Sequence, residues 1–160
     1  RLNSIRNIVV EVAALGNSDH TGYLQVCRGS DGTNEGMNYV TSVPRDGSDL
    51  PVKVVSLDQY CQRRGIARIN LLKMDIEGAE VDVLIDCKES LFKVRNLFVE
   101  FHSYINEKQR LSEIIDILES NKFRYFIKQP EDRPRPLINR YNKSNPEIDL
   151  QLNIFAYRID

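Results

Sequence analysis

Hydrophobic positions along this chain of 160 residues change repeatedly between strand and helix spacing, which predicts a fold of the α/β class. Short, mostly apolar runs at 69–74 and 96–102 are typical of buried strands. Apolar residues recur at helical spacing across 81–91 and again across 107–120. The stretch 150–157 alternates apolar and polar residues, which predicts a final antiparallel strand with one wetter face. A further strand is predicted at 123–127.

The N-terminal part predicts more strands and one short helix. An apolar run at 8–15 favours a strand that ends in a polar turn at 16–19. The shorter runs 22–28 and 38–43 flank a glycine-containing loop and indicate an antiparallel excursion. Residues 52–57 alternate, and a helix should follow to about Arg64, with Asp58 as its N-cap and Gly65 as its C-terminal stop.

Composition favours one globular domain and excludes some classes of partner. The 41% of hydrophobic residues can form a substantial core. The 22 Lys and Arg against 23 Asp and Glu give a net charge of -1, which argues against nucleic acid binding. No apolar run has the length of a membrane span or resembles the apolar core of a signal peptide, so we expect a soluble, cytoplasmic protein.

The three cysteines predict no metal or disulfide framework. Cys27, Cys61 and Cys87 are odd in number, widely spaced and outside any Cys-x-x-Cys arrangement. Cys87 lies within an apolar helical pattern. We therefore interpret it as a small core residue rather than a nucleophile.

The candidate chemistry is concentrated where the strand at 69–74 passes into the next helix. Asp75 follows this strand directly, and Glu77 stands two residues further on. Ligands in open α/β sheets bind outside the carboxyl ends of strands, so Asp75 is a site candidate. The structural alternative is helix capping, which we expect for at least one of the two carboxylates.

A second strand should bring further polar groups to the same edge. If 69–74 and 97–101 are neighbouring parallel strands, Asp75 and Glu77 lie near Glu100 and His102. His102 could act as a general base for a substrate hydroxyl or be a satisfied structural histidine. The carboxylates could instead hold a divalent cation, although nothing in their spacing requires a metal. For Lys73 we expect an ion pair with Glu100 within the sheet.

Three consecutive blocks of the chain resemble a known family. They are Leu57-Asp58, the run from Asn70 to Leu84 that contains Lys73-Met74-Asp75-Ile76-Glu77-Gly78-Ala79-Glu80, and Phe98-Val99-Glu100-Phe101-His102. In order and content they resemble the FkbM-type methyltransferases, over residues 7–125. The resemblance implies an S-adenosylmethionine-dependent enzyme that methylates a hydroxyl group of a sugar or natural product. Asp75, Glu77, Glu100 and His102 are then its candidate catalytic residues.

The resemblance also implies a Rossmann-like class I methyltransferase sheet, N-terminally truncated, mostly parallel and with an antiparallel final strand. We expect the strands near residues 8, 69, 96 and 123 to be parallel, with the strand near 150 between the last two. Enzymes of this class hold the methionine part of the cofactor on a glycine-rich turn, which is not found before Ile8. The glycines of 28–36 neither follow a buried strand nor begin a helix.

We therefore expect the isolated chain to bind S-adenosylmethionine weakly or not at all. Val12, Ala13 and Ala14 could supply only a wall beside the adenine. The competing hypothesis is a non-catalytic scaffold or interaction domain that retains the later half of the fold.

The stretch 129–146 links two predicted hairpin partners and is much longer than an ordinary hairpin loop. Four prolines in it disfavour regular structure, and its basic residues outnumber its acidic ones. We predict a mobile lid on the substrate side that could accommodate an anionic acceptor. A solvated charged loop is the alternative.

Overall fold

The structure, a computed structural model, describes residues 7–25, 39–44, 49–130, 132–140 and 147–159. These residues form a mixed α/β arrangement with two four-stranded sheets. In chain order the elements are β1 (Ala14–Gly16), β2 (His20–Gln25), β3 (Tyr39–Thr41), β4 (Leu50–Ser56), α1 (Leu57–Arg64), β5 (Ile69–Met74), α2 (Glu80–Asp86), α3 (Lys88–Leu91), β6 (Val94–Tyr104), α4 (Leu111–Ser120), β7 (Arg124–Lys128) and β8 (Ile148–Tyr157).

The second half of the chain forms a sheet in the order β5-β6-β8-β7. β5 and β6 are parallel, whereas β8 is antiparallel to both of its neighbours, β6 and β7. β6 and β7 therefore run in the same direction, with the last strand between them. This confirms the order and direction predicted for the strands near residues 69, 96, 123 and 150.

The first half forms a separate sheet in the order β1-β4-β2-β3, so the expectation of a single, mostly parallel sheet is wrong. β1 is parallel to β4, and β2 is antiparallel to β3 and β4. The predicted strand at 8–15 is reduced to β1, whose ladder with β4 spans three residue pairs. Strand geometry needs a hydrogen-bonding partner, and residues 8–13 pair with no described strand. Ile8, Val9, Val10 and Val12 are accordingly exposed.

One core joins the helices to one face of the β5–β8 sheet. Side chains from α2, α3 and α4 pack there against alternate residues of the strands. The fully buried members include Leu84, Leu91, Leu97, Val99, Ile114, Leu118 and Ile154. Cys87 belongs to this core, and burial raises the pKa of its thiol to about 12. A thiol held protonated in this way fits the predicted structural role.

Three helix boundaries differ from the predicted ones. The N-cap position of α1 is Ser56, and Asp58 instead accepts backbone hydrogen bonds from Glu89 and Ser90 of α3. The helical stretch 81–91 is divided into α2 and α3 at Cys87. α4 begins at Leu111 rather than near 107, because residues 106–110 are all polar and have no apolar face to pack. The predicted stop at Gly65 is confirmed, with a left-handed φ of 63°.

The opposite face of the β5–β8 sheet carries a row of side chains in cross-strand register. Lys73, Phe98, Phe155 and Phe126 are consecutive partners across β5, β6, β8 and β7. The rings of Phe98 and Phe155 are 5.0 Å apart and meet edge to face. Strand alternation places Glu100 and His102 further along this same face, toward the carboxyl ends of β5 and β6. None of the described helices is long and apolar enough to cross a membrane.

Candidate active site

The loop from β5 to α2 makes a tight left-handed turn beside the end of β6. Glu77 has a φ of 52° and Gly78 a φ of 96°, a region that favours glycine. A Cβ atom added at Gly78 would lie 2.8 Å from Cε2 of Tyr104, which shows how closely this backbone approaches β6. The turn thus brings the side chains of the loop against those at the carboxyl end of β6.

Glu80, the first residue of α2, closes this loop. Its Oε1 accepts hydrogen bonds from the backbone N–H groups of Ile76 at 3.1 Å and Gly78 at 3.0 Å. Its side chain has no solvent exposure. The helix cap expected of Asp75 or Glu77 is not formed, since Ala79 is the N-cap residue of α2 and no side chain caps this helix. Glu80 instead binds two amides of the loop, because the left-handed turn points them at its carboxylate. A buried carboxylate requires such donors.

His102 lies next to Glu80 and is nearly as buried, with 3% of its side chain exposed. Nδ1 of His102 is 3.3 Å from Oε1 of Glu80. Nε2 is 3.4 Å from the amide nitrogen of Gln151 and 4.0 Å from Oε1 of Glu100. Burial alone would lower the pKa of His102, but the hydrogen bond to Glu80 and the charges of Glu80, Glu77 and Glu100 outweigh it and raise the pKa.

The structure brings the sequence-predicted residues of this edge together. One carboxylate oxygen of Asp75, one of Glu77 and one ring nitrogen of His102 all lie within 4.8 Å of one another. Burial raises the pKa of Glu77; the positive charge of His102 opposes this shift and the charge of Asp75 adds to it. A group of this spacing could accept the proton of a substrate hydroxyl, hydrogen-bond further hydroxyls or hold a divalent cation.

The expected ion pair between Lys73 and Glu100 is wrong. Nζ of Lys73 donates to Oδ2 of Asp75 at 2.8 Å, and this bond raises the pKa of Lys73. Asp75 stands two residues from Lys73 on the same side of the strand, and the lysine is largely exposed, so this short contact costs little desolvation. Glu100 is held instead by the Gln151 amide, which donates to its Oε1 at 2.6 Å.

The predicted cofactor residues lie at or just before the start of β1, in the other half of the fold. Ala14 begins β1, Ala13 is half-buried, and Val12 is 90% exposed. No described hydrogen bond or ion pair links these residues to the cluster around His102. Their role beside the adenine stays a prediction.

Sequence reasoning missed three members of the site, namely Glu80, Gln151 and Tyr104. Glu80 belonged to the quoted motif but was given no role of its own. The strand near 150 was placed beside the strand near 96, but the sequence did not give the register that sets Gln151 opposite His102. Burial foremost, and then the charges of Glu77 and Glu80, raise the pKa of Tyr104 to about 12, so its phenol stays protonated.

The segment after β7 leaves the sheet at the edge where Asp75 lies, since β7 is parallel to β6. Its described residues, 129–130 and 132–140, contain no helix or strand. Arg133 donates to the backbone oxygen of Asp149 at 2.6 Å, so it is tied to the start of β8. Leu137 is 86% exposed. The remaining residues of the predicted lid, 131 and 141–146, lie outside the described residues, and the lid stays a prediction.

Comparison with known proteins gives a match to the family described as "Methyltransferase FkbM domain" over residues 3–125. "2-O-methyltransferase NoeI" of Sinorhizobium fredii is 38% identical over 76 residues, which cover 45% of this chain and 31% of that protein. "31-O-demethyl-FK506 methyltransferase FkbM" of Streptomyces tacrolimicus is 29% identical over 91 residues, 56% of this chain and 34% of the relative.

A third relative, "AMB antimetabolite synthetase AmbE" of Pseudomonas aeruginosa, is 36% identical over 76 residues, 46% of this chain and 4% of that protein. The chain thus aligns with about a third or less of the length of these relatives. No solved structure matches. The family match spans the range over which the sequence resemblance was expected, and it confirms that resemblance.

Proposed function

Because the chain belongs to the FkbM family of methyltransferase domains, we propose that it contributes the acceptor side of an S-adenosylmethionine-dependent O-methyltransferase. The proposed acceptor is a hydroxyl group of a sugar or natural product. Two relatives support oxygen as the methylated atom, since their names specify 2-O and 31-O positions. The proposed fold of the complete enzyme is the Rossmann-like class I sheet, to which the β5-β6-β8-β7 order would contribute one half.

The observation that carries the proposal is the polar cluster around His102 at the carboxyl edge of β5 and β6. S-adenosylmethionine, when bound, supplies a methyl group on a positively charged sulfur. The acceptor oxygen would form the new C–O bond as the C–S bond breaks, and Nε2 of His102 would take the hydroxyl proton. Positioned general bases accelerate such steps by about 10²- to 10⁴-fold.

The carboxylates beside His102 fit an acceptor with several hydroxyl groups. Asp75 and Glu77 place carboxylate oxygens within 4.8 Å of a ring nitrogen of His102. Oxygens at this spacing can accept hydrogen bonds from neighbouring hydroxyls and so align the reacting one. This arrangement supports a sugar-like acceptor more than an isolated alcohol.

The residues proposed for the cofactor fit one part of it. Val12 is exposed and apolar, and Ala13 and Ala14 are small, as a wall beside a flat adenine ring requires. No glycine-rich turn from a buried strand into a helix lies among residues 7–25, 39–44, 49–130, 132–140 and 147–159. The described residues therefore support an adenine contact but not a complete cofactor site.

A non-catalytic scaffold is the competing function, because a fold can persist without its activity. The two functions are distinguished by an assay in which the natural full-length polypeptide is incubated with methyl-labelled S-adenosylmethionine and a panel of sugars and hydroxylated macrocycles. We expect label in an acceptor and an O-methyl group by NMR. Label on nitrogen or carbon would contradict O-methylation, and no transfer to any acceptor would favour the scaffold.

A further inference from the structure

Glu80 and His102 form a buried pair whose geometry has a specific consequence for the imidazole. We propose that Glu80 is a positioning residue that holds His102 in the Nδ1–H tautomer and leaves the lone pair of Nε2 for the acceptor proton. The inference rests on the proposed function for its role in methyl transfer, whereas the tautomer itself can be tested independently. Nothing in the family match or the names of the relatives assigns a role to this glutamate.

Glu80 is the acceptor of the hydrogen bond between the two side chains. Oε1 of Glu80 already accepts the backbone N–H groups of Ile76 and Gly78, and Oε2 also lies 3.1 Å from the nitrogen of Gly78. These donors fix Glu80 as an acceptor. Nδ1 of His102, 3.3 Å from Oε1, must therefore carry the hydrogen.

Gln151 faces the other nitrogen of the ring. The amide nitrogen of Gln151 donates to Oε1 of Glu100 at 2.6 Å and lies 3.4 Å from Nε2 of His102. An amide nitrogen has hydrogens to donate and no lone pair to accept one. Nε2 faces this donor with its lone pair, so the contacts at both ring nitrogens require the same tautomer. The contact of 3.4 Å is long, and the acceptor hydroxyl would replace the Gln151 amide as the donor to Nε2 while that amide keeps its bond to Glu100.

Glu80 also fixes the orientation of the imidazole. Glu80 is on α2, its backbone donors are in the β5–α2 loop, and His102 is on β6. One carboxylate thus ties the imidazole to the loop that carries Asp75 and Glu77. The charged groups around the ring are Glu80 from α2, Asp75 and Glu77 from the loop, and Glu100 from β6, with Lys73 of β5 paired to Asp75.

This arrangement matters for proton transfer because only an unprotonated nitrogen can accept the proton. Nε2 is the nitrogen toward Glu100, and Nδ1 is the one turned to Glu80. A histidine with Nε2–H would present a hydrogen to the acceptor hydroxyl and could not act as its base. After transfer, the Glu80 carboxylate also stabilises the imidazolium.

The tautomer can be measured in this chain by long-range proton–nitrogen NMR of nitrogen-15-labelled histidine, at a pH where the ring is neutral. His20 is the other histidine and is exposed, so it serves as an internal reference. We expect wild-type His102 to show a protonated Nδ1 and a lone pair on Nε2. In Glu80→Leu, which removes both acceptor oxygens at similar side-chain length, we expect a shift toward the Nε2–H form, with His20 unchanged.

A wild-type spectrum with Nε2–H, or a Glu80→Leu spectrum identical to wild type, would overturn the proposal. The wild-type measurement needs no variant, so it decides the tautomer even if Glu80→Leu fails to fold. Thermal unfolding of the variant is the accompanying control for its fold.

The catalytic consequence is measured with the natural full-length polypeptide. We expect Glu80→Leu to lower kcat by at least about 10-fold with little change in the KM of the acceptor, since the lost interaction acts on proton transfer. An unchanged kcat would refute the positioning role. If the wild-type protein transfers no methyl group, the proposed function fails, while the tautomer measurement still decides the role of Glu80.

Discussion

The left-handed turn at Gly78 shapes the site, and Gly78→Ala tests it. Gly78 has a φ of 96°, and an added Cβ would lie 2.8 Å from Cε2 of Tyr104. The left-handed backbone costs an alanine about 1–2 kcal/mol. Displacement of the tyrosine ring adds about 1–2 kcal/mol. We therefore expect Gly78→Ala to lower the free energy of unfolding by about 2–4 kcal/mol, because the two costs add.

Gly65→Ala is the matched control, because Gly65 has a φ of 63° and no atom within 4 Å of an added Cβ. It should show only the backbone cost, measured for both variants by urea unfolding. In a Tyr104→Ala background the cost of Gly78→Ala should fall toward that of Gly65→Ala, as a double-mutant cycle reports. Equal costs for the two alanine variants in the wild-type background would refute the close packing of the turn on Tyr104.

Three further predictions concern the cluster itself. Asp75→Asn should reduce methyl transfer at least about 10-fold, because Asp75 would align the acceptor. The melting temperature should be unchanged, since the exposed ion pair with Lys73 contributes at most about 1 kcal/mol to stability. Unchanged methyl transfer would remove Asp75 from the site. The pKa of Glu77 is raised from its ordinary value of 4.5. At a pH above 4.5 the negative charge of Glu77 therefore destabilises the folded state relative to the unfolded state. Glu77→Gln should therefore raise the urea midpoint near neutral pH, with a gain below about 1 kcal/mol that disappears in acid, and no gain at neutral pH would contradict the charge crowding. With proton removal assigned to His102, EDTA should leave transfer unchanged; a loss restored by Mg²⁺ would transfer that role to a bound cation.

The sequence predicted those parts of the fold and site that depend on local periodicity. The strands β5, β6 and β8 are long enough to be recognised from their apolar or alternating residues, and the period of two placed Glu100 and His102 on one side. The burial expected of residues 69–74 is wrong, because β5 is an edge strand of the described sheet and only Met74 in it is buried. The mostly apolar residues 8–13 carry an equally good strand pattern, but pairing is non-local and β4 meets this part of the chain only from Val54 to Ser56. The residue pattern of 8–13 gives no information about how far another strand pairs with it.

The details of the site were less predictable, because they depend on side-chain directions and on one unusual turn. Glu80 reaches the loop amides only because Glu77 and Gly78 adopt left-handed conformations. Lys73 pairs with Asp75 rather than Glu100 because Asp75 lies within reach of its flexible side chain, whereas Glu100 is bound by Gln151. Residue spacing brings such groups near one another but does not select their partners.

The most direct test of the account compares two histidine variants of the natural full-length polypeptide in single-turnover methyl transfer. His102→Gln removes the buried base, whereas His20→Gln changes an exposed histidine of β2 and serves as its matched control. We predict a loss of about 10²- to 10⁴-fold for His102→Gln and a rate close to wild type for His20→Gln. A folded His102→Gln variant that transfers the methyl group at the wild-type rate would contradict the assignment of His102 as the base.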